Sequence, residues 1–490
     1  MPSISVAFHT LGCKLNQLET ESIAQAFREE GFPVLPWGQA ADIYIINTCT
    51  VTSMAEQKAR REIRKLLRDR PFSSIIATGC YAQLDAEALQ ALELNLQGMA
   101  DSDGDDANLP RVPERRRITV VSGDRKSGLL DLAGHLADSA CSTAEIPGLL
   151  QAWSRSGDTS AADRFRFDAN DFTYHSRASL KIQDGCDNVC AYCRVRLARG
   201  PGTSLDSERA LHRLQELEEK GYSEAVLTGI NLSRYRDKET DLPALISLLL
   251  SGTKKINLRI SSTEPDGVDG NFAKAVENPR VRPHFHLSVQ SGSDSVLRAM
   301  RRRYDSEQVL NAAKLLRAAK DDPFLACDII AGFPGETEED FERTFDLCKE
   351  IGFAWIHAFP FSARPGTEAA EMKPRVPERT ASERVERLIS LAHAGRNAYL
   401  ERWCGREVDA VVEAGHVPEK AINPESMTMT VGIDTNRLFA ALSGNYLKLV
   451  VHAGPGMPLP KTATAIRCLV GVPSVHTFFD LQAELLEILS

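Results

Sequence analysis

Between residues 177 and 360 the chain repeats a short apolar stretch followed by a helix-like segment six times, and this alternation restricts the fold more than any other feature. The strand candidates are Ala178–Ile182, Glu224–Thr228, Ile256–Ile260, Phe285–Val289, Leu325–Ile330 and Phe353–Phe359. Helix-like segments between them include Ser207–Lys220, Ser306–Ala319 and Thr337–Glu350. Strands separated by helices pair in parallel, because a parallel neighbour needs a crossover. Six such units predict a partial (β/α)6 barrel, whose ligands gather at the carboxyl ends of the strands. Thr228-Gly229, Ser261-Ser262-Thr263-Glu264-Pro265, Gln290-Ser291-Gly292-Ser293 and Asp328 to Glu336 all fall there. Each alone reads equally as a turn; together around one rim they mark a site.

The rim of the first strand carries Cys186, Cys190 and Cys193 in the order C-x3-C-x2-C. Structural zinc wants four protein ligands, usually as two close pairs. A four-iron cluster is held by thiolates, and three of them leave one iron open. A zinc knuckle or packed thiols remain the alternatives on spacing alone. A second trio is scattered in sequence but alike in context. Cys13 follows the apolar Ile4–Phe8, Cys49 follows Ile43–Ile46 and Cys80 follows Ile75–Ala77. Helix-like segments lie between, Glu19–Glu30 and Met54–Arg68, the latter entered through a Ser53 cap. Strand–helix–strand–helix–strand predicts a doubly wound parallel sheet with all three cysteines beyond the carboxyl ends, the edge where such sheets bind ligands. Three unrelated buried cysteines are the bland alternative.

At 490 residues the chain is too long for one core and divides into about three domains. Eleven cysteines in such a chain read as metal ligands and buried thiols rather than disulfides. No apolar run approaches 18 residues, and Met1–Val6 lacks the basic and apolar regions of a signal peptide, so a cytoplasmic location with no membrane partner is expected. The net charge of −9 speaks weakly against nucleic acid, although only a local basic surface is needed. Lys58, Arg60, Arg61, Arg64, Lys65 and Arg68 on the second helix, with Arg115-Arg116-Arg117, supply one. A charge run of this kind is also simply a solvated helix face.

The expected organisation is an N-terminal domain over 1–145, a linker over 146–171, the barrel over 172–402, a small β-barrel over 403–475, and a C-terminal helix or tail over 476–490. Residues 101–106 read as an exposed acidic loop, residues 117–136 as one more strand and helix, and the polar Ser154–Asp171 as linker. Helical Thr380–Cys404 leads into strand-like Glu407–Glu413, Met427–Val431, Leu438–Leu442, Tyr446–Val451 and Thr464–Leu469. Cys141, Cys404 and Cys468 carry no motif.

Taken in order, Leu11-Gly12-Cys13-Lys14-Leu15-Asn16, Ile46-Asn47-Thr48-Cys49, Thr78-Gly79-Cys80-Tyr81, Lys181 through Cys193, Ala198-Arg199-Gly200-Pro201, Gly332-Phe333-Pro334-Gly335-Glu336-Thr337 and Phe361 through Thr367 resemble the radical S-adenosylmethionine (SAM) methylthiotransferase family over nearly the whole chain. The resemblance implies two [4Fe-4S] clusters, a SAM-binding one on Cys186, Cys190 and Cys193 and an auxiliary one on Cys13, Cys49 and Cys80. It also implies that Tyr192 lies against the SAM adenine, that Thr228, Gly229, Ser262, Gln290, Ser291 and Asp328 contact the cofactor, and that no side chain acts as catalytic acid or base. The small C-terminal barrel resembles the TRAM domain, an RNA-binding fold. One departure is plain: the family usually has Ile-Ile-Pro after the third barrel cysteine, where Arg194-Val195-Arg196 stand here.

The chemistry implied is insertion of a methylthio group at an unactivated carbon, which a side-chain base cannot reach and a cofactor must carry. Gly12-Cys13-Lys14-Leu15-Asn16 through Glu21 is similar to the subfamily acting on N6-threonylcarbamoyladenosine at position 37 of tRNA. Isopentenyladenosine in tRNA, or an aspartate of a small-subunit ribosomal protein, is the alternative acceptor. The implied partners are tRNA, a flavodoxin- or ferredoxin-like electron donor and a sulfur source, with Lys58, Arg61, Arg64 and Lys65 as RNA contacts.

Overall fold

The computed structural model describes residues 4–93, 116–139, 142–156, 163–172, 176–414, 417, 435–473 and 479–489. The chain groups into two compact units. The first comprises residues 1–171 together with 184–189 and 193–203; the second comprises 172–183, 190–192 and 204–490.

The first unit is built on a five-stranded sheet. Its strands are β1 (Val6–Thr10), β2 (Val34–Leu35), β3 (Ile43–Thr48), β4 (Ser74–Gly79) and β5 (Ile118–Val120), in the order β2-β1-β3-β4-β5. All pairings are parallel. Every residue of β3 and β4 is buried, as continuous apolar strands covered on both faces should be. One face packs Phe8, Ile45 and Ile76 against Ile23, Phe27 and Leu132; the other packs Tyr44, Ile46 and Ile75 against Ala59, Ile63 and Leu66.

Helix α1 spans Lys14–Glu29 and begins five residues before the predicted Glu19. In its first turn Asn16, polar in sequence, is fully buried and donates to the carbonyls of Leu11 at 2.8 Å and Thr48 at 3.1 Å. Helix α2 spans Ser53–Asp69, and its cap is Thr52, whose hydroxyl accepts from Ala55 N at 3.1 Å, not Ser53 as expected. The predicted strand and helix over 117–136 are present as β5 and a helix over Leu129–Asp138.

The expected linker over 146–171 is in part a helix, Ile146–Arg155, with Ile146 and Leu150 in the core. Phe167 joins the same core, and Ala169 N donates to Ser22 Oγ at 3.0 Å. Spaced aromatics in a polar stretch carried that anchoring. The acidic loop over 101–106, Arg115 and Cys141 lie outside the described residues.

The second unit holds the six predicted barrel strands within one or two residues of their expected bounds: β6 (Ala178–Lys181), β7 (Glu224–Thr228), β8 (Asn257–Ile260), β9 (His284–Gln290), β10 (Phe324–Ala331) and β11 (Trp355–Pro360). They form two parallel three-stranded sheets, β6-β7-β8 and β9-β10-β11. Thr263 joins the two, its N–H donating to His286 O and its carbonyl accepting from Ser288 N, both at 2.9 Å. Opposite the rim, Glu224 is fully buried between Arg259 at 2.6 Å and Arg282 at 2.9 Å, and Arg259 also donates to Ser443 O at 3.1 Å. Burial alone would push this carboxyl up, but the two guanidinium groups hold it at about 2.

A long helix, Glu378–Trp403, leads into a closed five-stranded barrel. Its strands are Glu407–Val412, Leu438–Ser443, Lys448–His452, Ala465–Pro473 and Leu481–Ile488. The last of these corrects the expectation of a helix or tail over 476–490. Leu481, Ala483 and Leu485 alternate with polar neighbours and bury against Val408, Ile466 and Cys468. This strand, rather than Met427–Val431, is the fifth found; Met427–Val431 lies outside the described residues.

Candidate metal centres

In the first unit, β1, β3 and β4 are sheet neighbours, so the loops at their carboxyl ends lie side by side and carry Cys13, Cys49 and Cys80. Two of these cysteines follow glycines in the left-handed region, Gly12 at φ 101° and Gly79 at φ 97°. A Cβ on Gly12 would stand 2.5 Å from both Cβ and Sγ of Cys49, and one on Gly79 would stand 2.3 Å from Thr48 O. Only glycine lets the Cys13 and Cys80 backbones come this close to the Cys49 loop.

The three thiols lie near enough to act on one another electrostatically. Burial pushes the Cys13 thiol up and pushes Cys49 up to about 12, with the neighbouring cysteines adding to both shifts and Arg199 opposing them. Cys13 and Cys49 therefore resist becoming thiolates unless a cation joins them, and a metal centre would supply that charge. Val51 N already donates to Cys49 Sγ at 3.4 Å.

Arg199, which acts on Cys13 and Cys49, belongs to a buried ion network. Glu19 accepts from Lys126 Nζ at 2.6 Å and from Arg199 Nη1 at 3.0 Å. Arg199 also donates to Asp184 Oδ1 at 2.9 Å and to Asn16 Oδ1 at 2.8 Å, and Lys126 reaches Asn47 Oδ1 at 3.0 Å. Nothing in the linear spacing ties Glu19, Lys126 and Arg199 together, and sequence reading missed their joint role.

The other trio repeats some of these devices. Cys186 follows Gly185, at φ 69°, where an added Cβ would lie 2.0 Å from Pro201 O. Cys186 N donates to Gly200 O at 3.1 Å, and Cys193 Sγ accepts from Val195 N at 3.4 Å, as Cys49 Sγ does from Val51. In the second unit, Ala191 N donates to Met300 O at 3.1 Å and Ala369 N to Ala191 O at 2.8 Å, pinning the middle of the loop. Tyr192 packs with Val296, Met300 and Phe361, edge-on to Phe333 at 6.5 Å. Among the described residues no cysteine forms a disulfide, and no three His, Cys, Asp or Glu side chains converge on a single-ion position. In donor chemistry, three thiols, one of them already accepting a backbone N–H, suit a thiolate-bound cluster with one open iron.

The remaining rim residues differ in what they offer. Ser262 Oγ pairs with His286 Nδ1 at 2.9 Å, and His286 Nε2 lies 3.2 Å from Asp328 Oδ1. Gln290 sits at φ 65° where the pairing of β9 with β10 shifts register, a conformation uncommon for a side chain of this size. Thr228 is buried at its strand end. Gly229 serves packing, since an added Cβ would lie 3.0 Å from Gln183 Cβ, whose Oε1 accepts from Ile230 N and Asn231 N. Ser291 Oγ is buried against Thr344 Oγ1 at 3.1 Å and accepts from Ser293 N at 3.2 Å.

On α2, Lys58, Arg61, Arg64, Lys65 and Arg68 are exposed while Ala59, Ile63 and Leu66 face the core. Two of the arginines read as basic surface are engaged elsewhere. Arg60 donates to the Tyr81 hydroxyl at 2.8 Å, and Arg117 is buried beside Glu93, donating to Leu67 O and Arg70 O at 3.0 Å each.

Comparison with known proteins adds an independent line. Residues 180–348 match the Radical SAM superfamily model, and residues 5–100 match the model described as Uncharacterized protein family UPF0004. The chain is 42% identical to threonylcarbamoyladenosine tRNA methylthiotransferase MtaB of Treponema pallidum, with 91% of this chain and 98% of that protein aligned. It is 35% identical to the protein of the same name from Bacillus subtilis over 91% of this chain and 90% of that one. A tRNA-2-methylthio-N(6)-dimethylallyladenosine synthase of Cereibacter sphaeroides is 30% identical over 87% of this chain and 91% of its own. No helix among the described residues is long and apolar enough to cross a membrane.

Proposed function

The chain belongs to the radical-SAM methylthiotransferase family, and from that premise we propose that it attaches a methylthio group to C2 of N6-threonylcarbamoyladenosine at position 37 of tRNA. A [4Fe-4S] cluster and SAM are what membership of the radical SAM superfamily implies. A second cluster on Cys13, Cys49 and Cys80 is our reading of the side-by-side strand ends, and it is the observation that carries a sulfur-inserting activity over a plain radical one. The acceptor rests on higher identity to relatives named for threonylcarbamoyladenosine, 42% and 35%, than to the dimethylallyladenosine enzyme at 30%.

When bound, the clusters and SAM supply the radical and sulfur chemistry that no side chain can. The residues of this chain supply placement. Cys186, Cys190 and Cys193 would hold the SAM cluster, with Tyr192 and the rim residues Ser262, Gln290 and Asp328 around the cofactor. Gly12 and Gly79 let the auxiliary thiols converge, and the Lys126–Glu19–Arg199–Asp184 network fixes the floor beneath them. Lys58, Arg61, Arg64 and Lys65 present a cationic face for tRNA phosphates. An electron donor of flavodoxin or ferredoxin type and a sulfur source complete the requirements.

The test is anaerobic turnover with two purified tRNAs, one bearing threonylcarbamoyladenosine and one isopentenyladenosine. Methylthiolation of the first, with little of the second, is expected, because a pocket that hydrogen-bonds a polar substituent rejects its absence by orders of magnitude. The reverse preference would overturn the acceptor assignment.

A further inference from the structure

Arg302 is a buried charged side chain hydrogen-bonded to a barrel cysteine, and neither its motif nor its spacing marks it. Its Nη1 donates to Cys190 Sγ at 3.1 Å. The side chain is only 6% exposed and is held on every edge. Nη2 lies 2.7 Å from Glu264 Oε1 and 3.4 Å from Ser288 O, while Nε donates to the Tyr304 hydroxyl at 2.8 Å. Tyr304 is fixed in turn by the carbonyls of Ser288 and Val289, and Glu264 Oε2 accepts from Asn231 Nδ2 at 3.0 Å. The guanidinium thus gathers the ends of β7, β8 and β9 onto one sulfur.

We propose that Arg302 is a positioning residue for the SAM cluster, a fixed cationic hydrogen-bond donor to the Cys190 sulfur that raises the cluster's reduction potential. The physical case is that reduction adds negative charge, and a buried donor with positive charge at the ligand sulfur favours the more negative state. Glu264 gives the arginine a counter-ion, so the cation is held in a dry site with its fork already aimed. The same contacts explain a motif otherwise unaccounted for: Glu264 of Ser261–Pro265 acts through Arg302. This rests on the assignment of Cys190 as a cluster ligand.

The test uses the full chain with Cys13, Cys49 and Cys80 all replaced by alanine, so that only the barrel cluster is paramagnetic when reduced. An iron content of about four per chain checks the ligand assignment on its own. Protein grown with 15N in the arginine guanidinium should then show a 15N coupling to the reduced cluster by pulsed electron paramagnetic resonance, and Arg302→Lys should abolish it. In a redox titration, Arg302→Gln should make reduction at least about tenfold less favourable, which is about 59 mV for one electron, and Arg302→Lys should fall between. Four irons with no guanidinium coupling in the parent, or a potential unmoved in Arg302→Gln, would overturn the proposal while leaving the cluster assignment standing. Failure of Arg302→Gln to bind iron leaves the labelling result on the parent to decide.

Discussion

Replacing Glu19 with glutamine tests whether the ion network beneath the auxiliary trio is held by charge balance. Lys126 and Arg199 are matched by Glu19 and Asp184, and all four side chains are at most 8% exposed. Glutamine keeps the shape but leaves one buried positive charge uncompensated. It also turns an amide N–H2 toward either Lys126 at 2.6 Å or Arg199 at 3.0 Å, where a carboxylate oxygen accepted before. Removing one partner of a buried ion pair costs about 3–5 kcal/mol, a large share of the roughly 5–15 kcal/mol that holds a domain together. Guanidinium unfolding of the cluster-free full chain should show that loss in the unfolding of the first unit. Adding Lys126→Met restores the charge count and should recover about half of it, the coupling that neighbouring sites display. A single variant within about 1 kcal/mol of the parent, or a double variant no better than the single, would refute the reasoning.

Three further outcomes follow from the same geometry. Gly12→Ala places a methyl 2.5 Å from Cys49 at a left-handed φ, so iron analysis should fall from about eight to about four per chain; a full complement would contradict the account. Glu224, held at about 2, stabilises the second unit fully above the ordinary carboxyl range near 4.5 and loses that contribution as pH falls toward 2. Unfolding measured across that window should show about 3 kcal/mol vanish, and Glu224→Gln should remove the dependence. Charge reversal at Arg61 and Arg64 should weaken tRNA binding and lower the slope of log affinity against log salt by about one per lost phosphate contact; an unchanged slope would take α2 out of the tRNA surface.

The repeat of apolar strands and helices was legible because strand burial and crossover length leave a plain pattern, and β7 matches its expected residues end to end. The placement of Cys13, Cys49 and Cys80 was legible for the same reason, since strand ends fix where they stand, whereas Cys186, Cys190 and Cys193 were marked by their local spacing. What escaped lay in long-range pairings of polar residues. Asn16 and Glu19 look like surface yet are buried by partners more than 30 residues away. Arg117 reads as part of a basic run yet closes against Glu93. The helix Ile146–Arg155 was hidden in a stretch taken for linker, and the last barrel strand in a stretch taken for tail, because each buries only one apolar face. Arg194, in place of the usual isoleucine, is buried against Glu56 at 3.2 Å and Asp85 at 3.4 Å, partners no spacing rule pairs with it.

If the two trios hold separate clusters with separate roles, one variant separates them most directly. With Cys13, Cys49 and Cys80 all changed to alanine, the anaerobically reconstituted chain should keep about four of about eight irons. It should still cleave SAM to 5′-deoxyadenosine and yield no methylthiolated nucleoside by mass spectrometry of the digested tRNA. Methylthiolated product from that variant, or zinc without labile sulfide in the parent, would contradict the account.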